Sequence, residues 1–365
     1  MKQPTKPITL KDVAAAANVS VGMASRVLGS YGSYSEKTSK SVLKAAKQLN
    51  YRVNGIARSL RLKRTRTIGV MVSEIASYHW TVFVQGVEEA ARLAGYNVFI
   101  CNTADSPARE KEYLSELRKR GVDGIIVSPL AENISLFSKV AETGFPIVLI
   151  NCQIKSFDLP SIRSDDRQAA CDAVVYLNSI GHERIGIIAG SQSLETGQNR
   201  LGGYRQGHEL AKVYFNKDLI AYGNYDKQQA YAATQKLITM KNPPTAIIVC
   251  SEIMMGSTLQ CLKHHNVNIP SDLSLIGFDD PDWVNFFQPG ITTLKEQRFL
   301  MGTLASDTLI AVIESNLDSE KIGKDILLRT ELIIRDSCAA PEKRVAKTKF
   351  LKPDSVAHYG YQKIQ

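Results

Sequence analysis

The chain has 365 residues, 44% of them hydrophobic, and a formal net charge of +9. That length supports two or three domains with real cores. No apolar run approaches the roughly 20 residues of a membrane helix, and the opening MKQPTKPITLKD lacks the apolar core of a secretion signal.

Residues 8–28, ITLKDVAAAANVSVGMASRVL, predict two short helices joined by a tight turn. The first spans 10–17, with Thr9 at its N-cap, Asp12 three residues on, and Val13, Ala14 and Ala17 inward. Asn18-Val19-Ser20 breaks it, and Ser20 caps a second helix over 21–28 with Ala24, Val27 and Leu28 at helical spacing. Small residues where two such helices cross fit a helix-turn-helix, which lays the start of its second helix in the DNA major groove. An αα-hairpin of any soluble domain fits the same residues, and charge separates the two readings. Residues 1–66 carry a net +12, residues 67–338 a net −7 and residues 339–365 a net +4. A basic head on an acidic body is the footprint of a phosphate-binding module.

Ser35 caps a third helix over 36–49, expected to close the core with Val42, Leu43, Ala46 and Leu49. Asn54 can cap a short helix to about residue 60, and the basic run Arg61, Lys63, Arg64, Arg66 reads as a linker. From Thr67 the pattern becomes β-branched runs alternating with amphipathic helices. Runs at 68–72, 97–101, 124–127, 147–150, 184–188, 246–250 and 273–278 alternate with helices at 82–94, 108–120, 166–180, 200–211, 228–240, 254–264 and 299–313. This predicts parallel sheets buried on both faces, in two sets that break near residues 164–166. A ligand would then sit beyond the carboxyl ends of the strands, between the two lobes. The tail 339–365 lacks periodicity and is expected to be disordered. The six cysteines are scattered through apolar stretches and read as buried thiols, not a disulfide framework. Neither a GxSxG nor a P-loop motif occurs, so no catalytic residues are assigned and no enzyme is expected. Cys261-x-x-His264-His265 at a helix end is read as surface histidines rather than a metal site. No metal or cofactor is expected.

Residues 8–337 as a whole resemble the lactose/galactose-repressor (LacI/GalR) family of bacterial transcription regulators. The head carries the likeness through TLKDVAAAANVS, SRVL, SEKT, LNY and N-x-I-A-R-S-L. The body carries it through Gly181-His182-Glu183-Arg184-Ile185, Arg200-Leu201-x-Gly203-Tyr204, residues 269–279 (IPSDLSLIGFD), Thr292-Thr293-Leu294 and Leu332-Ile333-Ile334-Arg335. The resemblance implies a helix-turn-helix head at 1–53, a hinge helix and linker at 54–66, and a periplasmic-binding-protein-like body at 67–338. In that body lobe 1 covers about 67–165 and 295–324, and lobe 2 about 166–294 and 325–338, joined by three crossovers.

It also implies a dimer or tetramer, with a cytoplasmic homodimer expected because residues 339–365 show no leucine heptad, that binds palindromic operator DNA, with no membrane partner, as a repressor controlled by a small molecule of carbohydrate type. Control by a protein partner, with the effector site lost, is the alternative. A periplasmic sugar-binding protein would share the body but not the basic head. In the head the likeness points to Thr9, Ser20, Val21, Gly22, Ser25 and Arg26 in the major groove, Arg26 on a guanine edge or phosphate. In the hinge it points to Asn54, Ala57, Arg58 and Leu60, with Leu60 as a minor-groove wedge. Val53 stands where the family usually has proline. In the cleft, Arg200 at a helix opening and Asp279 after a buried strand are the leading effector contacts. His79 and Trp80 would flank the ligand ring. Ser128, Asn151, Asp165, Thr196, Tyr225 and Glu296 are further candidates. Ser251-Glu252 replaces a usual Asn-Asp, and Glu296 a usual Gln, two departures that bear on a sugar-type effector.

Overall fold

The structure, a computed structural model, describes residues 8–29, 31–51, 64–154, 158–315 and 325–341. The hinge candidates Asn54, Ala57, Arg58 and Leu60, Arg61 and Lys63 of the basic run, and residues 342–365 lie outside them. The chain divides into two compact units, residues 1–67 with 117–123, and residues 68–116 with 124–365.

In the first unit, helix α1 (Leu10–Ala16) starts where the Asp12 carboxylate accepts hydrogen bonds from the Thr9 backbone N and Oγ1, both at 2.7 Å. Asn18 turns the chain at φ +51, a left-handed conformation that asparagine tolerates. Helix α2 (Val21–Leu28) begins on Ser20, whose Oγ accepts from Met23 N at 3.1 Å. Helix α3 (Glu36–Gln48) begins on Ser35 in the same way. Val13, Ala14, Ala24, Val27, Val42, Ala45 and Ala46 form the shared core. The small side chains let three short helices approach closely, and packing stabilises helices too short to persist alone. Leu43, expected in this core, is instead 52% exposed, and Ala45 fills the inward position. The end of the linker is fixed as well. The Asp123 carboxylate accepts from Thr65 N at 2.8 Å and Arg66 N at 2.7 Å, and Thr65 Oγ1 donates to Gly121 O at 2.8 Å.

The second unit holds two six-stranded sheets. The first comprises β1 (Thr67–Val72), β2 (Asn97–Asn102), β3 (Gly124–Val127), β4 (Ile147–Ile150), β5 (Ser161–Ser164) and β11 (Asp325–Leu328), in the order β11-β5-β4-β3-β1-β2. Within it the pairs β1–β3, β3–β4, β4–β5 and β5–β11 are parallel. The second comprises β6 (Ile185–Ala189), β7 (Ile220–Tyr222), β8 (Ala246–Val249), β9 (Ser274–Phe278), β10 (Thr292–Lys295) and β12 (Glu331–Ile333), in the order β12-β10-β9-β8-β6-β7. Only its edge pair β10–β12 is antiparallel among the described pairs. Central strands such as β3, β4, β6 and β8 are buried along their whole length, which explains their unbroken aliphatic runs.

Helices α4 (Tyr78–Leu93), α5 (Pro107–Lys119), α6 (Ile134–Glu142) and α12 (Arg298–Ser315) accompany the first set of strands. Helices α7 (Asp166–Ser179), α8 (Glu195–Ala211), α9 (Lys227–Ile238), α10 (Glu252–His264) and the short α11 (Trp283–Phe286) accompany the second. Helices α4 and α12 meet backbone to backbone. A Cβ on Gly86 would stand 2.1 Å from Phe299 O, and one on Gly302 2.1 Å from Phe83 O. The chain passes between sheets three times, after β5, after β10 and after β11. The last crossing corrects one expectation. Residues 325–328 pair parallel with β5 in the first sheet rather than joining the second lobe, because Asp325 is held by Arg163 of β5 at 2.6 Å.

Candidate functional site

Two surfaces collect the candidate residues. On the first unit, Thr9, Ser20, Val21, Gly22 and Arg26 are exposed at the start of α1 and along α2, and Ser25 is half-buried. Val21 is a large apolar side chain left 42% exposed. A Cβ on Gly22 would meet only Ser20 Oγ, at 4.0 Å, so packing does not demand glycine there. Two polar members are engaged within the fold: Ser20 Oγ caps α2, and Ser25 Oγ accepts from Tyr31 OH at 3.1 Å. Arg26 is exposed on α2, and Lys11 of α1 and Lys37, Lys40, Lys44 and Lys47 of α3 are exposed as well.

On the second unit, a cavity of about 1380 Å³ opens beyond the carboxyl ends of the strands of both sheets. Ser73, Ser128 and Asn151 follow β1, β3 and β4 on one wall, and Tyr225, Ser251 and Asp279 follow β7, β8 and β9 on the other. Asn151, Tyr225 and Asp279 take positive φ, +59, +61 and +68. Non-glycine residues in this region cost about 1 kcal/mol or more and gather at binding sites. Tyr225 lies against Gly190, where a Cβ would meet its ring at 2.1 Å, and its OH lies 3.2 Å from Thr196 Oγ1. Burial pushes the Tyr225 phenol up to about 12.

The floor of this cavity is a buried charge network built on the crossings between sheets. Arg200 is 2% exposed. Its Nε donates to Asp166 Oδ1 at 2.9 Å, one terminal nitrogen to Cys250 O at 2.6 Å and the other to Glu296 Oε1 at 3.0 Å. Its guanidinium also stacks 4.0 Å from the Phe278 ring centroid. Arg298 donates to Glu296 Oε2 and, at 3.2 Å, to Asn151 Oδ1, which follows β4 of the first sheet. Burial pushes the Asp166 carboxyl up to about 8, against the pull of Arg200 and helped by Glu296. With that proton on Asp166, Glu296 and Asp279 balance Arg200 and Arg298.

Asp279 is 4% exposed. Its Oδ2 accepts from Glu252 N at 3.1 Å, while its Oδ1 has no hydrogen-bond partner. The nearest charged or titratable groups to Oδ1 are His79 Nδ1 at 3.5 Å and Arg298 Nε at 4.0 Å. Burial opposes ionisation of Asp279, but His79, Arg298 and Arg200 outweigh it and hold the carboxyl well below the usual range. Burial, then the Arg298 charge, lowers the His79 imidazole against the pull of Asp279 and Glu296. His79, Asp279 and Glu296 bring possible metal ligands within 4.8 Å of one another. Both Glu296 oxygens already accept from guanidiniums, and two arginines beside a cation would repel it, so this donor set does not suit a metal.

Residues 9–54 match the bacterial regulatory proteins of the lacI family, and residues 65–335 match the periplasmic binding proteins and sugar binding domain of that family. The chain belongs to the LacI family. Among its relatives, the probable HTH-type transcriptional regulator EndR of Paenibacillus polymyxa is 33% identical over 334 residues, 90% of this chain and 98% of its own length. The HTH-type transcriptional repressor PurR of Haemophilus influenzae is 30% identical over 332 residues, again 90% and 98%. A Lac repressor dimer bound to operator and an anti-inducer shares the fold, with a TM-score of 0.81 at 24% identity across 92% of this chain and 100% of that one. This LacI-family chain is a DNA-binding transcriptional regulator and not an enzyme.

Of the ten cleft candidates, His79, Trp80, Ser128, Asn151, Thr196, Arg200, Tyr225 and Asp279 line the cavity of this LacI-family body, whereas Asp165 and Glu296 do not. Asp165 caps α7, its Oδ1 accepting from Gln168 N at 3.2 Å. Glu296 lies beneath the cavity between the two arginines. Trp80 is mostly core: 8% exposed, it donates from Nε1 to Ser73 Oγ at 2.8 Å and packs against Phe83. Arg200 stands in the second turn of α8, not at its opening, and its donors are spent inside the protein. Sequence reasoning missed Asp166 and Arg298. The adjacent Asp165-Asp166 at a strand-to-helix junction was the available signal for the first, since a cap and a buried partner can occupy successive positions there. Glu296-x-Arg298 was the signal for the second.

Proposed function

We propose that this LacI-family regulator is a repressor that acts in the cytoplasm as a homodimer on palindromic operator DNA, released or held by a small molecule of carbohydrate class in the body's cleft. The observation that carries the reading is the cleft itself. Its polar groups converge beyond the strand ends of both sheets, and its floor is made of crossing residues, so a ligand touching both walls biases their angle. Val21, Gly22, Ser25 and Arg26 would meet the major groove. Residues 54–60 would meet the minor groove, with Leu60 as the wedge. For the dimer, edge strand β2 leaves Phe99 and Ile100 45% and 42% exposed. A second copy would cover such an edge.

One observation favours a second reading, control by a protein partner. Arg200, the leading ligand contact on sequence grounds, already spends each of its three nitrogens on a partner inside the protein. The test is operator titration of the full chain with and without a panel of sugars, at several salt concentrations. Affinity should fall steeply with salt, Arg26→Ala should weaken it by about 1–3 kcal/mol, and one sugar should shift it. Linkage then requires operator to shift that sugar's affinity by the same factor. A salt-independent affinity would overturn the DNA face, and indifference to every sugar would favour the partner reading.

A further inference from the structure

The acidic body gathers its bases at one place. Arg118-Lys119-Arg120 is the only run of three consecutive bases between residues 67 and 338, a stretch of net −7. All three are exposed, at the end of α5 and just past it. A base in the last turn suits the negative C-terminal end of a helix, which accounts for Arg118 and Lys119 but not for Arg120 in the turn beyond. Residues 117–123 fall inside the stretch that matches the sugar binding domain, yet they belong to the first compact unit, with the head and the linker. There the Asp123 carboxylate clasps the end of the linker through Thr65 N and Arg66 N, and Thr65 Oγ1 donates to Gly121 O. The clasp holds Arg66 at φ +50 and sets Arg64 and Arg66, both half-buried, against the turn that carries the run.

The linker also limits how far this patch can stand from DNA. Thr65 is five residues beyond Leu60, at most about 18 Å of extended chain. Residues 54–60 in a minor groove therefore keep the clasp within that distance of the wedge, near enough for arginine and lysine side chains to meet the phosphates along the groove. We propose that Arg118, Lys119 and Arg120, joined by Arg64 and Arg66, take the phosphate backbone beside the groove that residues 54–60 enter, a DNA contact made from inside the stretch that matches the sugar binding domain. This rests on the hinge reading and extends the DNA face beyond it. Phosphate contacts carry charge and no sequence information, so the patch adds affinity and salt dependence and leaves base choice to the head.

The experiment titrates the full chain, across a series of salt concentrations, with an operator duplex that the unaltered chain selects from random sequence. Arg118→Gln, Lys119→Gln and Arg120→Gln made together should lower the slope of log affinity against log salt by at least about 0.9, the share of one phosphate contact. Operator affinity should fall at least about fivefold at physiological salt, while the cost of a single base-pair change in the operator stays the same. Arg118→Lys with Arg120→Lys, which keeps the charge, should keep both slope and affinity. An unchanged slope and affinity in the glutamine variant would overturn the inference and leave the DNA reading standing. Equal losses in the lysine variant would make the turn structural and overturn it too. If Leu60→Ala binds operator as tightly as the unaltered chain, the hinge reading fails and takes the inference with it.

Discussion

The floor and the walls of the cleft use the same side chains to opposite ends. On the floor, Asp166, Arg200, Glu296 and Arg298 are buried and engage one another over two of the crossings between sheets. On the walls, the carboxylates of Asp105 and Glu252 have no hydrogen-bond or ion-pair partner among the described residues, and Asp279 Oδ1 has only His79 Nδ1 at 3.5 Å and Arg298 Nε at 4.0 Å. Charges that are paired hold the joint between the lobes, and charges left unpaired are available to a ligand. A cationic residue in a binding cleft is therefore not a ligand contact until its donors have been counted.

The sharpest way to break this contrast is to remove its central cation. Arg200→Met should leave Glu296 and Asp166 buried without their guanidinium and cost about 3–5 kcal/mol of stability in denaturant titration. A loss below about 1 kcal/mol would mean the floor is not a structural joint. A smaller effect belongs to Asp166. Its folded value near 8 lies above the ordinary 3.8, so the folded chain holds a proton that the unfolded chain has released between those values. Its contribution to stability is full below about pH 4 and falls as pH rises towards 8. From pH 6.5 to 8 the unfolded chain sheds its remaining histidine protons, and the buried His79, His182 and His208, all with lowered values, hold fewer in the folded state, so they raise stability over the same interval and oppose the Asp166 effect. The Asp166 part should be a fall of at most about 2 kcal/mol across that interval, read as the difference in pH dependence between the unaltered chain and Asp166→Asn. An unchanged slope in Asp166→Asn would put the proton elsewhere. The smallest effect belongs to the walls. Asp105→Asn and Glu252→Gln should each alter stability by no more than about 0.5 kcal/mol, and a large loss in either would reveal a partner and erase the distinction.

Most of the fold could be read from residues. The three head helices and the central strands follow from caps and from aliphatic runs that burial on both faces requires. Short strands escaped. Ser161–Ser164 reads SIRS and alternates nothing, and Asp325–Leu328 is a strand because Arg163 and β5 hold it. Leu43 misled because its helical phase suits the core while the alanine-lined crossing leaves no room for it. In the site, positions after buried strands were legible, since an α/β fold must place them at the cleft. Pairing was not. That Arg200 meets Asp166, Cys250 O and Glu296 depends on segments 34, 50 and 96 residues away, which no local pattern announces.

Glu296 and Arg298 sit two positions apart on a single crossing, yet they touch elements from both sheets. In genetic terms this makes them one locus with two letters. Glu296→Gln alone strands a guanidinium against Asp279 and Asn151, and Arg298→Leu alone strands a carboxylate oxygen, so each change is a lesion. Made together they remove both charges at once, and Arg200 keeps its bonds to Asp166 and Cys250 O while losing Glu296, so each change should suppress the other in part.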